Sequence, residues 1–481
     1  GPRAHTTGPR AHTNERKPVR SRLRVPAAAL APMAVVSLLA LTGCGSGPSS
    51  AGASGSAAPG PSALASASGP ISVSLWHGLG GANGEALKAR IDAFNAANTG
   101  KIVVTPAFQG SYADTLAKYS AALRDGGTPS ILVINDITTG FVHDAGQTVT
   151  AQDLATANPG DLDLKAIRPA ARNYYSAQGK LLAVPLATSM PLLYVNGDLL
   201  ARSGVDRTTL GTLDGVAAAA RKVTAATGVP GLVQPFDGWW FEQLVAASGQ
   251  VYCTPDNGRG AGGAAALSLT APARAAITTV GLLYRDKVGL DVGVDGNNAV
   301  TAFAAGKVAM MFNSSGSIGA LSKKGVKDWT ALPYPLSGAR ATSGALIGGA
   351  AMWVDAKGHT PAEQVASWKV ISYLASAPAQ EAFSQATGYA PINTAVDASP
   401  SEQAFLAANP AQKALIQQFS DTPVAPATAG CLSGAMPGIR TEVVNRMQAA
   451  FAGTTPIEAA INDAVSAGTV KISAYRQQAG Q

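Results

Sequence analysis

Acid–base, nucleophilic or metal chemistry needs particular groups near one another, and this chain offers few of them. Beyond residue 43 the histidines are His77, His143 and His359, and none has another histidine or a cysteine two to four positions away. The two cysteines of the body, Cys253 and Cys431, stand far apart, so the ligand spacing of a zinc site is absent. Ser315-Gly316-Ser317-Ile318-Gly319 carries part of a nucleophile-elbow pattern but lacks the glycine two residues before the serine. Gly78-Leu79-Gly80-Gly81-Ala82-Asn83 offers glycines in a loop, yet no register of G-x-G-x-x-G fits it. The residues therefore name no catalytic group, no cofactor and no metal. Paired carboxylates are set in space rather than along the chain, which leaves an exported hydrolase of phosphodiesters or glycans as an alternative.

The elements that would position a site are legible in the periodicities. Ile71 to Trp76 alternates as a strand, Asn83 offers an N-cap to a helix carrying Leu87, Ile91 and Phe94, and Ile102 to Thr105 is a second strand. Tyr112 to Leu123 is an amphipathic helix and Ile131 to Ile134 a third strand. This βαβαβ order predicts an α/β fold with a parallel sheet and functional loops beyond the strands' carboxyl ends. Those ends are His77-Gly78-Leu79-Gly80, Gln109-Gly110-Ser111-Tyr112 and Asn135-Asp136. The pattern restarts with a strand at Leu192 to Val195 and helices at Val216 to Ala226 and Ala275 to Tyr284; helical spacing dominates after Thr360. Two α/β lobes suggest a ligand held between them.

Charge is informative through its distribution. The net charge is +7, but Arg3, Arg10, Arg16, Lys17, Arg20, Arg22 and Arg24 against Glu15 account for all but one of that excess. No basic face remains to neutralise successive phosphates, which argues against nucleic acid as a partner. Val25 to Leu41 is an uncharged apolar run of about 17 residues behind those arginines, as in a secretory signal. It ends in Leu41-Thr42-Gly43-Cys44, the pattern of a bacterial lipobox. Residues 1–43 are thus expected to be a lipoprotein signal peptide, with Cys44 acylated on the outer face of the cytoplasmic membrane. Residues 44–70 carry no charge and little apolar bulk, and are expected to be a flexible tether. Export permits a disulfide between Cys253 and Cys431, with two buried thiols as the other possibility.

A set of segments runs in order along the body: Leu75-Trp76-His77, Phe108-Gln109-Gly110-Ser111-Tyr112, Ile134-Asn135-Asp136, Gly179 to Pro185 with Leu193-Tyr194-Val195-Asn196, and Phe303 to Met310. Ser314-Ser315-Gly316-Ser317, Ile347-Gly348-Gly349-Ala350, Thr387 to Ile392 and Met436 to Arg440 complete it. As an ordered set these resemble family 1 extracellular solute-binding proteins of ABC importers, most closely the glycerol-3-phosphate-binding branch. The resemblance implies the two-lobed periplasmic-binding-protein type II fold, with several chain crossings between lobes. One lobe is placed at 71–186 plus 312–358, the other at 187–311 plus 359–478. It further implies a monomeric receptor that is not an enzyme, binds a small molecule and serves permease subunits of an ABC transporter.

Carried over by position, the resemblance puts the ligand among Tyr112, Asp136, Ser189, Phe236, Trp239, Ser315, Gly349, Tyr389 and Arg440. Asp136 would accept hydrogen bonds from ligand hydroxyls, and Tyr389 and Arg440 would hold a phosphate. A guanidinium suits that task, because its planar fork matches phosphate oxygens. Phe236 stands where that branch has its first cleft tryptophan. The smaller ring is expected to leave room for a glycerophosphodiester such as glycerophosphocholine, its quaternary ammonium resting on Trp239 or Trp240. A di- or oligosaccharide is the alternative ligand.

Overall fold

The computed structural model of the chain describes residues 57–480, so the leader and the acylation site at Cys44 lie outside the described residues. Ten strands build two principal sheets: β1 (Ile71–His77), β2 (Ile102–Phe108), β3 (Ile131–Asn135), β4 (Thr148–Val149), β5 (Val184–Ser189), β6 (Pro191–Asn196), β7 (Leu232–Val233), β8 (Met310–Ser314), β9 (Trp329–Pro333) and β10 (Gly348–Asp355). The first sheet runs β2-β1-β3-β10-β4 with β5 also paired to β10; the second runs β9-β6-β8-β7.

β1 pairs in parallel with both β2 and β3, as the βαβαβ order predicts, while β10 is antiparallel to β3, β4 and β5. β3 sits between two partners and buries Ile131, Leu132, Val133 and Ile134, the continuous apolar run of a strand covered on both faces. β6 alternates instead: Leu192 and Tyr194 join the core shared with the first lobe, whereas Leu193 and Val195 face the second core.

The lobes divide the chain differently from the expected boundaries. β8 and β9 pair with β6, so residues 310–333 belong to the second lobe, and only β10 returns to the first. Helices Pro361–Leu374 and Ala377–Thr387 were expected in the second lobe but pack on β1, β10 and helix Gly81–Ala97 of the first. Their apolar faces, including Trp368, Ile371 and Phe383, complete the first core. Helix Pro410–Asp421 lies along β9 at the edge of the second sheet, and helices Met436–Phe451 and Ile457–Ala479 finish the second lobe. The chain crosses at Met190 between β5 and β6, again between β9 and β10, and a third time before Met436.

Two local expectations also shift. The helix expected to be capped by Asn83 begins at Gly81, its N-cap Gly80 making no side-chain bond. The tether expected to reach residue 70 stops short of it: helix Pro61–Ala65 packs on helix Pro361–Leu374, and Asn158 Nδ2 donates to the Pro59 carbonyl at 2.9 Å. Ala58 and Leu64 supply the apolar anchorage.

Candidate ligand-binding site

The site forms where the carboxyl ends of the first sheet meet two helices of the second lobe. A capping box starts helix Tyr112–Asp125: Ser111 Oγ accepts from the Asp114 amide at 3.1 Å, and Asp114 Oδ2 accepts from the Ser111 amide at 2.9 Å. This fixes Tyr112 at the first helical position. Asp136 opens the turn that follows β3. Across the boundary, Asp237 caps helix Gly238–Ala247 by accepting from the Trp239 amide at 2.8 Å, which sets the direction in which Trp239 and Glu242 project.

Arg440, on helix Met436–Phe451, is the hub. Its Nε donates to Glu242 Oε1 at 2.6 Å and its Nη2 to Glu242 Oε2 at 3.0 Å, the fork geometry of a bidentate pair. The same Nη2 reaches Asp136 Oδ2 of the first lobe at 3.4 Å. Side-chain exposure is 17% for Arg440, 9% for Asp136 and 3% for Glu242, so water screens this cluster weakly. Burial pushes the Asp136 carboxyl up to about 6, opposed by Arg440 and reinforced by the Glu242 charge. Burial likewise raises Glu242, against the pull of Arg440. Burial works against the Arg440 charge, yet Glu242 and Asp136 together hold it firmly protonated.

Tyr112 and Tyr389 flank this hub from the first lobe. Burial, with Tyr389 and Asp136 nearby, pushes the Tyr112 phenol well up, and the Tyr389 ring stacks parallel to Phe383 with centroids 6.2 Å apart. The backbone of β10 joins the hub to a second patch: Ala350 pairs with Asn135, Gly349 with Thr188 and Gly348 with Ser189. A Cβ on Gly348 would lie 3.0 Å from Ser189 Oγ and 3.1 Å from Trp239 Cζ2, so these side chains meet there. Ser315 is fully buried beside the same crossing, its hydroxyl accepting from the Met190 amide at 3.2 Å and its own amide donating to the Met190 carbonyl at 2.8 Å.

Seven of the nine expected residues are therefore gathered around the Arg440 hub and the Gly348 patch, Ser315 lies buried beside the crossing, and Phe236 points elsewhere. Its ring is 1% exposed and packs edge-on against Tyr284 and Phe451 in the second core. The space argued from its size is thus filled by the lobe's own aromatics. Trp240 is likewise core, between Phe312 and Tyr334, which leaves Trp239 as the indole at the cleft.

Glu242 escaped the sequence reading; its one signal is that it is the lone acid in the apolar helix Gly238–Ala247. Also unanticipated is a set of buried polar atoms without a hydrogen-bond partner among the described residues: Tyr112 Oη, Trp239 Nε1, Thr188 Oγ1, Asn135 Oδ1, Tyr175 Oη and Tyr252 Oη. Such atoms also occur away from the hub, for example Trp368 Nε1 and Asp355 Oδ2, but Tyr112 Oη and Trp239 Nε1 are donors beside the Arg440 hub and the Gly348 patch that a polar molecule would satisfy. Separately, Cys253 and Cys431 are bridged, with S–S at 2.07 Å. Among the described residues no group of three or more His, Cys, Asp or Glu could hold a metal, and no helix is long and apolar enough to cross a membrane.

Comparison with known proteins places this geometry in a family. The sn-glycerol-3-phosphate-binding periplasmic protein UgpB of Yersinia pseudotuberculosis serotype I is 28% identical over 414 residues, covering 84% of this chain and 93% of that protein. UgpB from Mycobacterium tuberculosis, solved in complex with glycerophosphocholine, superposes with a TM-score of 0.69 at 21% identity, covering 85% of this chain and 99% of that one. The sugar-binding protein MalE of Xanthomonas citri superposes with a TM-score of 0.72 at 17% identity, covering 85% and 100%. These likenesses share the two-lobed fold described above. Residues 89–426 match the profile of the bacterial extracellular solute-binding proteins, and the chain belongs to that family.

Proposed function

We propose that this protein is an exported receptor that captures a phosphorylated polyol, a glycerophosphodiester such as glycerophosphocholine or glycerol 3-phosphate, between its lobes and delivers it to an ABC importer's permease. The observation that carries this reading is Arg440, aligned by Glu242 on one lobe and facing Asp136 on the other, with the unpartnered donors Tyr112 Oη and Trp239 Nε1 close by. A guanidinium held rigid beside O–H and N–H donors suits phosphate oxygens, and Asp136 suits glycerol hydroxyls. Trp239 offers a ring face to a quaternary ammonium. Contact with both lobes supplies the differential affinity that closure requires.

A thermal-shift panel of glycerophosphocholine, glycerol 3-phosphate and disaccharides tests the ligand class, because a molecule that binds only the native state raises Tm. Arg440→Ala should weaken phosphate-ester binding by about 3 kcal/mol or more, over a hundredfold in Kd by calorimetry. A disaccharide receptor is the second reading, favoured by the ion pairs that already occupy Arg440; in that case Arg440→Ala leaves the affinity nearly unchanged and only sugars raise Tm. Lipid anchoring at Cys44 belongs to the same proposal: Cys44→Ser should move the secreted protein from the membrane fraction to the medium.

A further inference from the structure

Arg440 is not a free cation. Its single positive charge faces two buried carboxylates, Glu242 and Asp136, at 2.6 and 3.4 Å. Asp237, on the exposed turn before helix Gly238–Ala247, adds a third negative charge on the same side, near enough to act on Asp136, Glu242 and Arg440. The tyrosines that approach Glu242 from other elements, Tyr174 and Tyr252, are held neutral by burial. Tyr112 and Tyr389, beside Asp136, are pushed up in the same way. Arg259 is the other nearby cation, but its guanidinium turns away and donates to carbonyls of Tyr174, Ser176, Asn257, Ala429 and Gly430. The site thus carries net negative charge before any ligand arrives.

A phosphodiester brings one negative charge to this site, whereas a phosphate monoester brings about −1.5 to −2 at pH 7. We propose that Glu242 is a specificity-determining residue: by sharing the charge of Arg440 it admits the monoanionic diester and disfavours the dianionic monoester. The proposal rests on the site being a phosphate-ester receptor. Its mechanism is charge balance in a water-poor cleft, where like charges brought together are costly unless one is neutralised. A monoester can enter after taking a proton from solvent, either on its own phosphate oxygen or on the Asp136 carboxyl, so its binding is coupled to proton uptake. The diester brings less charge to the same carboxylates and so draws in less of a proton.

The experiment is calorimetric titration of the full chain and of Glu242→Gln with glycerophosphocholine and with glycerol 3-phosphate from pH 5.5 to 8. The expected wild-type result is a monoester affinity that rises about tenfold per unit of acidification over part of that range, and a diester affinity that rises distinctly less steeply. Glu242→Gln should shift the preference toward the monoester by about tenfold or more. Should that variant not fold, wild-type titrations at pH 7.5 in two buffers of different ionisation enthalpy read the same quantity. They should show more proton uptake for the monoester than for the diester. An unchanged preference ratio in Glu242→Gln, equal loss of both ligands, or equal proton uptake by both overturns the proposal while leaving the receptor reading standing. Failure of the wild type to bind either ester removes both.

Discussion

Two glycines decide what Arg440 and the β5–β10 seam can do. Gly238 is the first residue of its helix, and a Cβ there would lie 2.5 Å from Arg440 Cγ, so the arginine stem crosses the helix start only because that position is bare. Gly238→Ala should force helices Gly238–Ala247 and Met436–Phe451 apart as well as displace the guanidinium from Glu242, lowering both Tm and ligand affinity, the latter about tenfold or more by calorimetry. Gly349 differs in kind: its φ is +108°, and a Cβ would sit 1.7 Å from the Ala187 carbonyl oxygen. Gly349→Ala should destabilise the protein by about 3 kcal/mol or more in urea unfolding, because backbone as well as side chain must shift. Tyr112 and Asp136 were legible just beyond strand ends, and Arg440 through the resemblance carried by Met436 to Arg440. Glu242 was not, because a lone acid in an apolar helix reads as an ordinary solvent-facing position until the helix is seen packed on every side. Phe236 failed for the converse reason: neighbours in sequence, Phe236 and Trp239 point into different environments, and only the Asp237 cap between them reveals the turn that separates them.

At the scale of elements, the third crossing is held by more than its disulfide. Asn257 Oδ1 accepts from the Tyr252 and Cys253 amides at 2.8 and 3.0 Å, and its Nδ2 donates to the Pro426 carbonyl at 2.8 Å. Arg259 adds the Tyr174 and Ser176 carbonyls of the first lobe, at 2.6 and 2.8 Å, and the Ala429 carbonyl at 2.5 Å. Among the described residues it forms no salt bridge with a carboxylate, and burial pulls it down to about 10. Only a fork with five donors can serve so many carbonyls at once, so Lys cannot substitute. Arg259→Lys should cost about 3 kcal/mol in denaturant unfolding, close to the loss from Arg259→Met. Removing the bridge with Cys253→Ala and Cys431→Ala should cost about 2–5 kcal/mol, since it closes a long loop. The bridge was one of two possibilities in the sequence, but the Asn257 and Arg259 contacts were not readable beforehand, for they join residues whose proximity only the crossings create. Strands β1, β2, β3 and β6 and several helices were legible from periodicity, but β5, β8, β9 and β10 were not. Nor was the allotment to lobes, because β8 and β10 are both buried almost throughout and nothing in their composition names the sheet they enter.

For the whole molecule, the acids divide into two groups with opposite effects on pH stability. Exposed ones such as Asp114, Asp153 and Glu442 are held below the usual carboxylate range by hydrogen bonds to Ser111, Lys180 and Arg446, and being exposed they contribute little. Asp136 and Asp355 are buried, and burial pushes each up to about 6. Asp355, at the opposite end of β10 from Gly349, accepts from the Tyr119 hydroxyl at 2.8 Å, and its second oxygen has no partner among the described residues. A raised carboxyl means that the folded state binds more protons than the unfolded chain between about pH 4 and 6, so stability must rise as pH falls through that window. Below about pH 4 the exposed pairs are lost and the trend reverses. The Tm of the ligand-free protein should therefore increase between pH 7.5 and 5 and fall again below 4, as scanning calorimetry would read directly. Asp136→Asn should raise Tm at pH 7.5 and reduce the slope, and adding Asp355→Asn should reduce it further, leaving the part that buried Glu242 contributes. A wild-type Tm that falls steadily from pH 7.5 to 5 would mean that the two carboxyls stay ionised in their sites, and that Arg440 and Tyr119 outweigh burial there.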